Sequence, residues 1–435
     1  MAIDTTPSTT PGVDRRSKLT ERQLVAAGFI TTAGNAFQIT AAAIMVFRAD
    51  NTTLSVGWLF IAVSIPQVVL SVMFGRLVDR MDRRLLCVLA DLVSAVTAFA
   101  LPLWLWFGGP VSLGSYLANF LLAVTAALFM PASNALVKER VLDGRLGRFN
   151  SRYEMGTNSG MLLASSSAGF LIVGFGATPL LVFNAFTFVA SAILTWFVGA
   201  KPSGAPASDT TAEDAAATTG ALAPALRQPI KRLALLYTAG NANLMVSNVI
   251  LTTIVLQHWK VSPWVIGVVD ALAGVGFIIG AACYPWISAR IKGLHLAVLG
   301  QLGCMTMVIF EPLHYIVLMS VIPVAAFCFA NGRIAARTLL MQASPVERVG
   351  RIFGGAQAFG LALGVAATVV LSAVADAISV PWAFWGLVVL VDVIAVGTYL
   401  SLRKPLSVVE RTPEPTEPTE PTKPTKPTEP VVVAV

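Results

Sequence analysis

G-R-L-V-D-R-M-D-R-R, the stretch from Gly75 to Arg84, decides the fold. Six of its ten residues are ionised, while the twenty residues on either side carry a single charge, Asp91. An ionised side chain in hydrocarbon costs roughly 2.5–3.5 kcal/mol on insertion scales. The stretch is therefore a polar loop between two apolar runs, each long enough to cross a bilayer.

The composition of the whole chain agrees. Of 435 residues, 56% are hydrophobic and only 12% charged, against about 25% charged in ordinary soluble domains. The net charge of +7 sits in short clusters between apolar runs with no nucleic-acid motif, so no nucleic-acid partner is expected. The four cysteines (Cys87, Cys283, Cys304, Cys328) fall inside apolar runs without C-x-x-C or histidine neighbours. This argues against disulfides, haem and zinc, and no cofactor is expected. There is no Walker A sequence, G-x-S-x-G or paired-carboxylate arrangement, so the chain is not expected to be an enzyme.

Twelve apolar runs follow one another, at about 24–47, 56–74, 85–107, 114–136, 152–174, 179–199, 233–256, 264–287, 294–312, 315–340, 353–375 and 382–402. The N-terminus is polar and carries Arg15, Arg16, Lys18 and Arg22, unlike a signal peptide. With both termini inside, only Arg48 and Lys260 of the 30 basic residues fall on outer connections. The positive-inside rule thus predicts cytoplasmic termini and a multi-pass protein of the plasma membrane. Residues 1–23 form a cytoplasmic tail, 24–199 a six-helix bundle, 200–232 a Pro/Gly/Thr/Ala-rich cytoplasmic linker and 233–402 a second six-helix bundle. Residues 403–435, with proline at every third position through P-E-P-T-E-P-T, form a solvated disordered tail.

The bundles look like copies. T-A-G-N-A at 32–36 recurs at 238–242, and Arg145-Leu-Gly-Arg148 recurs as Arg348-Val-Gly-Arg351, with offsets of 206 and 203 residues. One duplication with small insertions explains both. The expected fold is all-α and integral to the membrane, with twelve transmembrane helices as two six-helix repeats and a solute site between them near the midplane.

The opening loop resembles the G-x-x-x-D-R-x-G-R-R signature of the major facilitator superfamily. Gly75, Asp79, Arg80, Arg83 and Arg84 match, and Asp82 stands at the second glycine. Pro131-Ala132, F-N-A-F-T-F-V-A-S-A (183–192) and S-P-V-E-R-V-G-R-I-F-G (344–354) resemble the branch of macrolide efflux pumps and siderophore exporters. This resemblance implies a monomeric secondary transporter that exports a hydrophobic or amphipathic small molecule by exchange with protons. It also implies a gating role for the loop, in which Asp79 holds the loop against the neighbouring half and is released during alternating access; the start of the eleventh helix near Phe353 presents a positive dipole end on the same side. Two features depart from proton-driven drug pumps of the superfamily: the fifth run, S-G-M-L-L-A-S-S-S-A-G-F, has no Gly-Pro, and the fourth has no arginine in its membrane portion. Uptake of a neutral solute, or a non-transporting receptor, remain the alternatives.

Polar residues inside the runs are the candidates for cargo and ion contact. Thr31, Asn35 and Gln38 share a face of the first helix, and Tyr237, Asn241 and Asn248 share one on the seventh. They line a cavity or act as interhelical hydrogen-bond glue. Asp270 and Asp392 are intramembrane carboxylates, each a proton or cation candidate by default. Arg333 and Arg337 lie one turn apart in the tenth run. They either anchor the helix by snorkelling or act as a gate or anion contact. Asp91 is expected to pair with the basic loop, and Glu311 to face outer water.

Overall fold

The computed structural model describes residues 11–51, 53–199, 224–261 and 264–409. The described chain is helical. α1 (Pro11–Asp50), α2 (Thr53–Val78), α3 (Arg83–Trp106), α4 (Val111–Arg140), α5 (Leu146–Phe175) and α6 (Thr178–Trp196) make the first half. α7 (Pro224–Thr253), α8 (Trp264–Ser288), α9 (Gly293–Val308), α10 (Tyr315–Ala343), α11 (Val349–Ala377) and α12 (Val380–Val409) make the second. Among the described residues, eleven of these helices are long and apolar enough to cross a membrane. The remaining one, α5, is polar along its first turns, through Asn150, Ser151, Glu154, Thr157 and Asn158.

Three helices extend past the apolar runs. α1 begins at Pro11 and α7 at Pro224, so residues 11–23 and 224–232, assigned by sequence to tail and linker, are helical. Proline at the first helical position is pre-organised for this role. Ser17, Thr20 and Glu21 on α1 and Ile230 on α7 are buried, so packing holds these extensions. α12 likewise runs through residue 409 into the expected tail. The linker at 200–223 and the tail at 410–435 lie outside the described residues.

The two halves pack alike. α1 lies against α5 and α6, α2 against α4, and α3 against α4 and α6; α7 lies against α11 and α12, α8 against α10, and α9 against α10 and α12. Small residues set the distances. An added Cβ at Gly160 would meet Phe29 O at 2.6 Å, at Gly280 Phe327 O at 2.6 Å, and at Gly300 Gly332 N at 2.5 Å. The outer surface carries Phe60, Val69, Val96, Leu163, Phe170 and Val389, all more than half exposed. Such a belt is stable only in lipid.

At the loop between α2 and α3, Asp82 adopts φ −62° and ψ 116° and its Oδ1 accepts from Leu85 N at 2.8 Å. A negative φ needs no glycine. The aspartate caps α3 in its place.

Candidate functional site

The ties between the halves gather at the end that carries the basic loops, here called the basic end. They form two layers.

The rim layer joins α2 to α11. A Cβ on Gly75 would lie 2.5 Å from Gly350 O, so only glycine lets the two backbones approach this closely. That approach delivers Asp79 to the first turn of α11. Its Oδ1 accepts from Gly350 N at 2.9 Å, and its Oδ2 accepts from Arg351 N at 3.2 Å and Arg351 Nε at 2.9 Å. A carboxylate on free helix-start amides is favoured by the helix dipole as well. The carboxylate is 1% exposed while Arg351 is 47% exposed. Burial pushes the Asp79 carboxyl above the usual aspartate range, against the pull of Arg351 and the two amides. Arg83 adds a second tie, donating to Val346 O at 2.7 Å while pairing with Glu139 of α4 at 3.1 Å. Arg84 stays in its own half, over the Trp196 ring at 4.8 Å, and Arg80 is exposed.

The inner layer lies deeper. Glu154 is eight residues inside α5, about 12 Å from its start at 1.5 Å per residue. Its Oε1 accepts from Arg337 Nη1 at 2.9 Å and its Oε2 from Arg333 Nε at 3.4 Å, both arginines belonging to α10. Arg337 Nη2 donates to Asn134 Oδ1 of α4 at 2.9 Å, and Arg333 Nη1 to Asn241 Oδ1 of α7 at 2.7 Å. The guanidiniums lie over Tyr153 (4.7 Å) and Tyr237 (5.5 Å). Asn150 Nδ2 donates to Thr338 Oγ1 at 3.0 Å, and Ser151 Oγ to Ala281 O of α8.

The sequence candidates divide accordingly. Asn241, Tyr237 and Arg333 meet in the inner layer, and Asn248, exposed, stands two turns beyond Asn241 on the same face of α7. Asn35 is exposed on α1. Asp270 is exposed, one turn from Gly274, where an added Cβ would meet Leu162 of α5.

Two open alternatives are narrowed by the contacts, for Gln38 and for the arginine pair, and two expectations, for Asp91 and Glu311, are corrected. Gln38 accepts from Asn184 Nδ2 of α6 at 3.3 Å and is buried, so it binds α1 to α6 within one half; Thr31 is buried too. Arg333 and Arg337 do not snorkel; a carboxylate from the other half holds them. Asp91 is buried beside Ser191 of α6, away from the loop. Glu311 is only 3% exposed, folded into the turn Glu311–Leu313. Asp392 is half-buried on α12 near Cys304 of α9, with Oδ1 unpartnered and far from the inner layer in sequence and packing.

This geometry of two six-helix repeats tied across one end can be set beside known proteins. The sequence profile of the Major Facilitator Superfamily matches residues 24–313. The chain belongs to this superfamily. By family and by its apolar helices it is a multi-pass membrane protein. The chain is 24% identical over 180 residues to "Uncharacterized MFS-type transporter YfiS" of Bacillus subtilis (strain 168), covering 40% of this chain and 41% of that one. It is 29% identical over 182 residues to "Multidrug efflux pump Tap" of Mycolicibacterium fortuitum, covering 40% and 44%. The chain thus spans less than half the length of these relatives. Solved structures share the fold. A bacterial homologue of the iron transporter ferroportin, outward-facing with soaked iron, superposes with TM-score 0.69 at 14% identity over 87% of this chain and 98% of that one. The E. coli fucose:proton symporter gives 0.68 at 12% over 89% and 99%, and the human organic anion transporter MFSD10 0.68 at 15% over 89% and 100%.

Proposed function

We propose that this transporter exports a hydrophobic or amphipathic small molecule across the plasma membrane by alternating access, as a monomer, with its basic end and both termini in the cytoplasm. The observation that carries this reading is the two-layer tie at one end of the molecule. Its principal bonds, Asp79 to the start of α11 and Glu154 to Arg333 and Arg337, each join one half to the other. They break when the halves rock apart, opening the cavity to the cytoplasm. Asn35 of α1 and Asn241 and Asn248 of α7 then receive the cargo. Kinship over part of the chain with a multidrug efflux pump supports export. Asp270 at the outer mouth is the carboxylate placed to take up a proton from outside, and exchange with protons is the energy source in this reading.

The test is accumulation of a labelled macrolide and of a fluorescent lipophilic cation in cells stripped of their own pumps, with and without a protonophore. Export predicts lower accumulation with the intact protein, reversed by the protonophore and slowed by Asp79→Asn. Accumulation that rises when the protein is present contradicts export and turns the reading to uptake. Unchanged accumulation of both probes removes the multidrug reading.

A further inference from the structure

The inner layer is electrically unbalanced. One carboxylate, Glu154, serves two guanidiniums, and the other partners are the neutral amides of Asn134 and Asn241 and two tyrosine rings. Some of the arginine capacity is unused. Arg337 Nε is buried without a partner, and among the described residues Arg333 Nη2 makes no hydrogen bond. Arg333 is the more open of the two, with its side chain 17% exposed against 6% for Arg337. It reaches Asn241, on the α7 face that also carries Asn248.

Opening the basic end makes the imbalance worse. Glu154 rides on α5 in one half, and both arginines ride on α10 in the other. Separation leaves two adjacent cations without their carboxylate, facing the opened, hydrated space between the halves. Such a pair attracts an anion. A guanidinium offers paired N–H donors to a carboxylate in matched geometry, which a point charge does not.

Resting on the exporter reading above, we propose that Arg333 and Arg337 bind the acidic group of an amphipathic organic acid, and that Glu154 displaces it when the basic end closes. The cargo's carboxylate and the carboxylate of Glu154 are alternative occupants of one cationic site. Glu154 is tethered, so on closure its effective concentration exceeds that of a free acid. Its return expels the acid into the cavity now open on the other side. Asn241 and Tyr237 hold Arg333 in place between the two occupancies.

The test uses the full-length protein in nanodiscs, titrated with dansyl-labelled undecanoic acid and with its methyl ester. The acid is expected to bind at least about tenfold more tightly than the ester, a difference of one ion pair's size. Arg333→Gln is expected to weaken the acid about tenfold and leave the ester within about twofold, so that ester binding reports an intact fold. Arg333→Lys falls between. Glu154→Gln is the discriminating variant. As the internal competitor is lost, the acid binds more tightly, whereas a purely structural Glu154 would weaken acid and ester alike. Equal affinity of acid and ester for the unaltered protein overturns the proposal, as does parallel weakening of both by Glu154→Gln. If the macrolide and the cation are exported by cells while the acid shows no preference, the acidic-cargo proposal fails and export stands. If the acid binds in the expected pattern and cells export neither the macrolide nor the cation, the site stands and the multidrug reading fails.

Discussion

The α2–α11 seam and the α5–α8 seam are equivalent under the internal repeat but are closed by different chemistry. At the first, Gly75 lets the backbones meet and Asp79 grips the start of α11. At the second, α8 ends at Ser288 as α2 ends at Val78, which places Ala289 where Asp79 would stand, and alanine is no carboxylate. There a serine hydroxyl on a backbone carbonyl and the contact of Leu162 with Gly274 close the gap. The acid of the second half of the site has instead moved inward. Glu154 on α5 corresponds to Gln357 on α11, and Asn134 on α4 corresponds to Arg337 on α10. After duplication, the acids of both layers came to sit on the first half and their arginine partners on the second. The halves are therefore complementary, and complementary charge directs closure as well as holding it. The neutral α5–α8 seam is the one suited to act as a pivot, since parting it breaks no ion pair.

Four substitutions break or sharpen this contrast. Glu154→Ala has the largest expected effect. It leaves Arg333 and Arg337 unpaired, at a cost of about 3–5 kcal/mol to the closed form, or at least about a hundredfold in the closed-to-open ratio. Spin labels at the exposed positions Met81 and Glu347, on opposite sides of the rim, read this as a shift to longer distances. Gly75→Val comes next. Its new side chain meets Gly350 O, and overpacking of this kind costs about 1–3 kcal/mol, so cysteine cross-linking across the α2–α11 seam is expected to fall. Asp79→Asn is milder, because Arg351 is half in solvent and exposed pairs contribute about 1 kcal/mol or less. Turnover is expected to slow a few-fold with membrane insertion unchanged, measured as initial efflux rate per inserted protein. Ser151→Ala, in the neutral seam, removes one hydrogen bond worth about 1 kcal/mol. It should leave the rim distance unchanged. A rim opened by Ser151→Ala as far as by Glu154→Ala would erase the proposed difference between the seams.

Much of the fold is legible because lipid permits few solutions. A charged decapeptide between two apolar runs, and twelve such runs in all, leave little but a helical bundle. The repeat is legible because T-A-G-N-A and the R-x-G-R pair recur in register. The rim is legible as a loop, and its partner through the family resemblance. The inner layer is not. Glu154 falls three residues into the fifth run as read from hydropathy, among Arg148, Arg152 and Tyr153, and looks like one more boundary charge. Only the approach of α5 to α10 across 179 residues of sequence makes it the partner of Arg333. One signal was available: two arginines one turn apart inside an apolar run require an acid, and few carboxylates lie at a matching depth. Gln38 misleads for a related reason. Its spacing from Asn35 puts it on roughly the same face, but a helix packed on two neighbours turns adjacent positions to different partners, here Asn184.

The central claim is that ionic contacts of Glu154 with α10 hold the basic end shut and part during each cycle. Double electron–electron resonance between labels at 81 and 347, in Glu154→Gln, in Arg337→Glu and in the combined Glu154→Arg, Arg337→Glu exchange, tests it most directly. Each single change is predicted to populate a longer distance, and the exchange to recover part of the short one. A short distance retained in both single variants would contradict the account.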